Sequence, residues 1–183
     1  HFDQALTDYK QLKAKATTTE RRQLAATGML RSAAMMQDDV ETIAAATDML
    51  AEAKLTPELR NEALYFRAKA YLNQQADKKA MNDLQALAKD TRTLYGAEAK
   101  YLVALQLYKA HEYAAAEKEI LNFIEQSTPH AYWLARSFIL LSDVYVAMDK
   151  KLDARQYLLS LQQNYHADDD IEQMINERLE KLK

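Results

Sequence analysis

The stretch Phe138-Ile-Leu-Leu-Ser-Asp-Val-Tyr145, followed by Ala154-Arg-Gln-Tyr-Leu158, decides the fold. Phe138, Leu141 and Tyr145 fall three and four residues apart, a spacing that keeps side chains on one face of a helix. The small Ser142 sits at the centre of that face. Ala154, Leu158 and Leu161 make a second stripe of the same kind. The pair reads as two helices, A and B, meeting at a turn around Asp149-Lys150.

The same two stripes recur upstream. The A pattern appears as Leu30…Ala33-Ala34, Leu64…Ala68…Tyr71 and Val103-Ala104…Leu107. The B pattern appears as Ala5-Tyr9-Leu12, Ala46-Leu50-Ala53, Ala80-Leu84-Leu87 and Ala116-Ile120-Phe123, and from Ala5 through to Ala154 the leading alanines are 41, 34, 36 and 38 residues apart. The small residue lets two helix backbones approach, and its larger neighbours fill the adjoining gap. A fixed period near 34 to 38 residues is the signature of stacked helical hairpins. Turns between A and B are expected at Gln37-Asp38-Asp39, Gln74 to Asp77, His111-Glu112 and Asp149-Lys150. None carries the glycine that usually ends a helix in the left-handed conformation, so less regular turns are expected there.

Composition agrees. Two glycines and two prolines in 183 residues leave little material for hairpins or phosphate loops, and 49% of the residues are hydrophobic. With 24 basic and 27 acidic residues the net charge is −3. No basic run accompanies it, which argues against a nucleic-acid partner. The absence of cysteine excludes disulfides, thiolate catalysis and cysteine zinc sites. No apolar run approaches 18 residues, so no direct membrane insertion is expected.

These stripes resemble the tetratricopeptide repeat, whose pattern is W-x2-L-G-x2-Y, later A-x3-F, then P. Phe138-x2-Leu141-Ser142-x2-Tyr145 with Ala154-x3-Leu158 is the best match. Leu64-x2-Arg67-Ala68-x2-Tyr71 with Ala80-x3-Leu84 is the next. The family glycine is read as replaced by Ala34, Ala68, Ala104 and Ser142. The resemblance implies an all-α fold, a right-handed α-α superhelix of about ten helices. Its pieces are a lone B helix at 1–17, repeats at 18–55, 56–90, 91–127 and 128–166, and a capping helix at 168–183. The stretch His130-Ala-Tyr-Trp-Leu-Ala-Arg136 leading into Leu141 to Tyr145 resembles the C-terminal end of long tetratricopeptide proteins of Gram-negative bacteria. That likeness implies a periplasmic or envelope location, with the cytoplasm as the alternative, and further repeats before residue 1.

Helix starts are expected at a Thr17-x-x-Glu20 capping box and at Thr56-Pro57 and Thr128-Pro129. Asp168, Asp169 and Asp170 read as a helix N-terminus rather than a cation site. His1, His111, His130 and His166 show no ligand spacing, and no metal or cofactor is expected. The sole tryptophan, Trp133, reads as a wedge between repeats. Met35 and Met36 adjoin each other, so at least one faces outward.

Without a catalytic motif, the reading is a scaffold and not an enzyme. Its partner, a protein or peptide, is expected on the concave side lined by A helices. By spacing, that side carries Arg31 and Met35; Tyr65, Lys69 and Asn73; Tyr101, Leu105, Tyr108 and Lys109; and Arg136, Ile139 and Asp143. Leu72 and Val146 share the spacing. Aromatics interspersed with cations suit peptide binding, the alternative for each aliphatic residue being packing between repeats. The rival reading is an architectural spacer that self-associates through the N-terminal helix.

Overall fold

The computed structural model describes residues 1–183, and every regular element is a helix. The elements are α1 (Phe2–Lys15), α2 (Thr19–Met35), α3 (Asp39–Leu50), α4 (Pro57–Asn73) and α5 (Asp77–Leu87). They continue with α6 (Leu94–Lys109), α7 (Tyr113–Glu125), α8 (Ala131–Ala147), α9 (Lys151–Asn164) and α10 (Ile171–Lys181). The chain forms two compact units, His1–Leu87 and Ala88–Lys183.

In the first unit each helix packs on the next, and α2 also touches α4. In the second, α6 to α10 pack in succession, and α8 also touches α6 and α10. The fold is thus all-α, ten helices packed in consecutive pairs, as the stripes imply. No helix is long and apolar enough to cross a membrane.

Four turns join A to B, and they share one geometry. Gln37, Gln75, His111 and Asp149 all have φ between 56° and 61°, the left-handed region. In each turn the next amide donates to the carbonyl five residues back: Asp38 to Ala33, Ala76 to Tyr71, Glu112 to Leu107 and Lys150 to Tyr145, at 2.7 to 3.1 Å. These are Schellman caps built without glycine. The expectation of irregular turns is therefore corrected. Three carbonyls of the last helical turn thereby find donors, at the cost of a strained residue.

The left-handed residues also fix the repeat register. Five positions beyond each lie Thr42, Ala80, Ala116 and Ala154, all buried. Nine positions beyond lie Ala46, Leu84, Ile120 and Leu158, and twelve beyond lie Met49, Leu87, Phe123 and Leu161, again all buried. The expected stripe Ala46-Leu50-Ala53 is thus one helical turn out of step; Thr42 holds the alanine position. Seven positions before each turn residue stand Leu30, Ala68, Ala104 and Ser142, so Leu30 and not Ala34 is equivalent to the other three. A threonine methyl packs like an alanine there, and a rule that looked only for alanine passed over it.

Three helices start on threonine caps. Thr18, Thr56 and Thr93 accept from the amides of Arg21, Leu59 and Gly96. The cap of α2 is therefore Thr18 and not Thr17. Thr128-Pro129 does not open α8, which starts at Ala131. Thr128 instead donates to the Thr91 carbonyl (2.8 Å) and accepts from the His130 amide (3.2 Å), tying the loop before α8 to the loop before α6. His130 completes that tie through its Nε2, which donates to the Arg92 carbonyl at 2.9 Å.

Candidate functional site

In the second unit the A-type helices α6, α8 and α10 bring most of the expected groove residues together. Arg136 of α8 lies against Tyr101 of α6 and Tyr132 of its own helix, its guanidinium carbon 5.1 Å and 5.8 Å from the two ring centres. It donates to both tyrosine hydroxyls at 3.0 Å. Burial works against its charge, but those hydrogen bonds outweigh it and hold the pKa above the ordinary arginine value. Trp133 completes the cluster, its ring centre 5.5 Å from Tyr101 and 5.1 Å from Tyr132. The tryptophan thus wedges α8 against α6, as its place in the sequence implied.

About two turns further along, Asp143 accepts two hydrogen bonds from Arg178 of α10, both 2.8 Å. A forked pair of this kind fixes two helices in one geometry. Tyr108 of α6 belongs to the same patch. Its pKa is raised by burial first and by the charge of Asp143 next, with Arg178 opposing. Its ring lies 5.7 Å from that of Tyr113.

Not every expected residue is open to a partner. Tyr101 is only 6% exposed and Ile139 only 1%. Both belong to the packing between helices, the alternative weighed for the aliphatic positions. Leu105, Tyr108, Arg136 and Asp143 are half-buried, and Lys109 is exposed.

In the first unit, Arg31 of α2 forms a fork with Glu62 of α4, at 2.6 Å and 2.9 Å. Asn73 of α4 donates to Asp39 of α3 at 3.0 Å. Lys69 lies 5.9 Å from the ring centre of Tyr65, which meets Phe66 edge-on. Between α2, α3 and α4, Asp39, Tyr65, Phe66, Lys69 and Asn73 border a cleft of about 210 Å³ that the small Ala34 and Ala70 also line. Met35 and Val40, which neighbour that cleft in sequence, are 61% and 71% exposed. Met36 is exposed as well.

Glu62, Tyr132 and Arg178 are not among the residues that groove spacing marks. A signal was present. Arg31 and Glu62 are 31 residues apart, and Asp143 and Arg178 are 35 apart, as are Tyr101 and Arg136. Polar partners about one period apart meet across neighbouring helices of the same type. The acidic run before α10 is likewise occupied by the fold. Asp169 accepts from the Tyr165 hydroxyl at 2.6 Å and from the Ile171 amide at 3.0 Å.

A scan of protein-family models gives no match to the chain, and no curated protein matches it significantly.

Proposed function

We propose that the chain is a tetratricopeptide-like scaffold that holds a protein or peptide partner on the side lined by its A-type helices, and that it is not an enzyme. One observation carries the reading: the Tyr101–Tyr132–Trp133–Arg136 cluster beside Tyr108 and the Asp143–Arg178 fork. Aromatic rings and arginine supply much of the energy at protein interfaces. Here they are already fixed by hydrogen bonds, so a partner does not have to order them, and preorganisation of that kind raises affinity. Long repeat proteins of the bacterial envelope are the natural setting for such a module.

The test is capture by the immobilised chain from lysate and periplasmic extract, compared with a Tyr108→Ser, Lys109→Glu double variant. Lys109 is exposed and Tyr108 half-buried, and neither belongs to the fully buried core. The reading expects retained proteins that the double variant loses while its melting temperature stays within 2–4 °C, the shift of about 1 kcal/mol in a chain of this length. Retention equal to that of an unrelated helical protein would overturn it.

A second reading, self-association through α1, rests on a different observation. The stripe Ala5-Tyr9-Leu12 occupies the register that is buried in the other B-type helices, yet in α1 it is only half-buried, and Phe2 is 46% exposed. Light scattering over a hundredfold range of concentration decides this, with Leu12→Lys as the control. A constant monomer mass removes the reading.

A further inference from the structure

We infer that the cleft between α2, α3 and α4 is a socket for one tyrosine side chain presented by the partner; this rests on the scaffold reading above. The argument comes from comparing the same place in two repeats. Counted from the left-handed turn residues, Ala34 and Asp39 in the first unit occupy the positions of Tyr108 and Tyr113 in the second. Ala70 occupies the position of Val144.

In the second unit the place is filled from within. Tyr108 and Tyr113 meet there at a tilt of 52°, ring centres 5.7 Å apart, and Val144 is fully buried. In the first unit an alanine and an aspartate replace the two rings, and an alanine replaces the valine. Space of about 210 Å³ remains open. That is below the roughly 300 Å³ at which pockets for small molecules begin, so a cofactor-sized ligand does not fit. It suits a single large side chain.

The walls select which one. Phe66 and the methyl groups of Ala34 and Ala70 give the cleft apolar surface for a ring, beside the polar Gln37, Lys69 and Asn73 that line it too. Asp39 also lines the cleft, with one carboxylate oxygen held by the Asn73 amide at 3.0 Å. A carboxylate acceptor beside apolar wall surface complements a donor at the tip of a ring. Tyrosine supplies both, with a phenol O–H for the Asp39 carboxylate. Phenylalanine would leave that carboxylate facing an apolar edge, and leucine would leave the flat slot partly empty.

The probe is N-acetyl-L-tyrosinamide, titrated into the full chain and followed by amide ¹H–¹⁵N NMR. Ligands of this size bind on the order of millimolar. The socket predicts saturable shifts centred on Ala34, Asp39, Ala70 and Asn73, at least threefold weaker binding of the phenylalanine amide, and none of the alanine amide. Ala34→Tyr installs the ring that the second unit carries and should abolish the shifts. Ala70→Val gives the same readout should that variant not fold. Shifts that do not saturate, that persist in both filled variants, or that centre on the second unit would overturn the socket. Loss of the socket with partner capture intact leaves the scaffold standing. A working socket with no capture sinks the scaffold alone.

Discussion

The carbonyl oxygen of Asp90 lies 1.9 Å from where a β-carbon on Gly96 would stand. Gly96 is the third residue of α6, and its amide donates to the Thr93 cap at 3.0 Å. In an ordinary helix, glycine to alanine stabilises by about 1 kcal/mol. Here the sign reverses, because the obstruction is backbone and the Thr93 hydroxyl, itself held by the Asp90 carbonyl at 3.0 Å, stands beside it. Gly96→Ala should destabilise the protein by roughly 2–4 kcal/mol. Urea unfolding measures it, and an unchanged or higher midpoint would contradict the close approach.

Arg67 and Asp83 tie α4 to α5 through a fork of two hydrogen bonds, each 2.8 Å, and Arg67 also donates to Thr47 of α3. The Asp83 side chain is almost inaccessible to water. Removing only the arginine leaves a buried carboxylate without its cation. Arg67→Met should therefore cost about 3–5 kcal/mol, whereas adding Asp83→Leu should recover more than half of that loss. A double-mutant cycle by chemical denaturation gives the coupling. Simple additivity of the two substitutions would show that the fork contributes nothing.

Buried hydroxyls make a smaller case. The Ser142 Oγ is enclosed and has no hydrogen-bond partner. The equivalent positions in two other repeats hold Ala68 and Ala104. Ser142→Ala should raise stability by about 1 kcal/mol, since it removes an unmet polar group without opening space. A loss of stability on substitution would mean that the hydroxyl has a partner after all.

How far the sequence could be read follows from which forces act locally. The ten helices were legible because apolar periodicity and threonine caps are short-range signals, but the start of α8, at Ala131 and not at Thr128-Pro129, was not. The register of the first repeat was not. Thr42 does the work of alanine at that site, and an alanine one turn later, Ala46, is buried too. Only the turn at Gln37 distinguishes them. Local patterns also could not tell Tyr101, closed over by Arg136 and Trp133, from the more open Tyr108. Both have groove spacing, and the difference is made by a neighbouring helix about 35 residues away. The forks Arg31–Glu62 and Asp143–Arg178 escaped for the same reason.

Tyrosine ionisation supplies a pH test. Burial first, and then the hydrogen bond to Asp169, push the Tyr165 phenol up to about 12 from 10.0. Burial and Glu117 raise Tyr145 as well. A phenol whose folded pKa exceeds its unfolded one favours the folded state fully below the unfolded value, and this contribution is lost as pH climbs towards the folded value. Stability should thus be flat in this respect below pH 10 and fall between 10 and 12. Absorbance titration of the phenolates should show a delayed component, reduced in Tyr165→Phe. A single transition near the ordinary tyrosine pKa would refute the shifts.

The non-glycine turns give the sharpest test of the repeat register. Gln37 and Gln75 hold φ of 56° and 58° with exposed side chains. A side chain in the left-handed region costs roughly 1–2 kcal/mol, a cost that glycine does not bear. Glycine also gains freedom in the unfolded chain, which offsets part of the benefit. Gln37→Gly and Gln75→Gly should each stabilise by about 0.5–1 kcal/mol, opposite in sign to the usual effect of glycine near a helix. His111→Gly should gain less, because the histidine Nδ1 lies 2.6 Å from the Tyr113 hydroxyl and that bond would be lost. Denaturation midpoints of the three variants order them. If glycine destabilised at both glutamines, those residues would not occupy the left-handed position on which the whole repeat numbering depends.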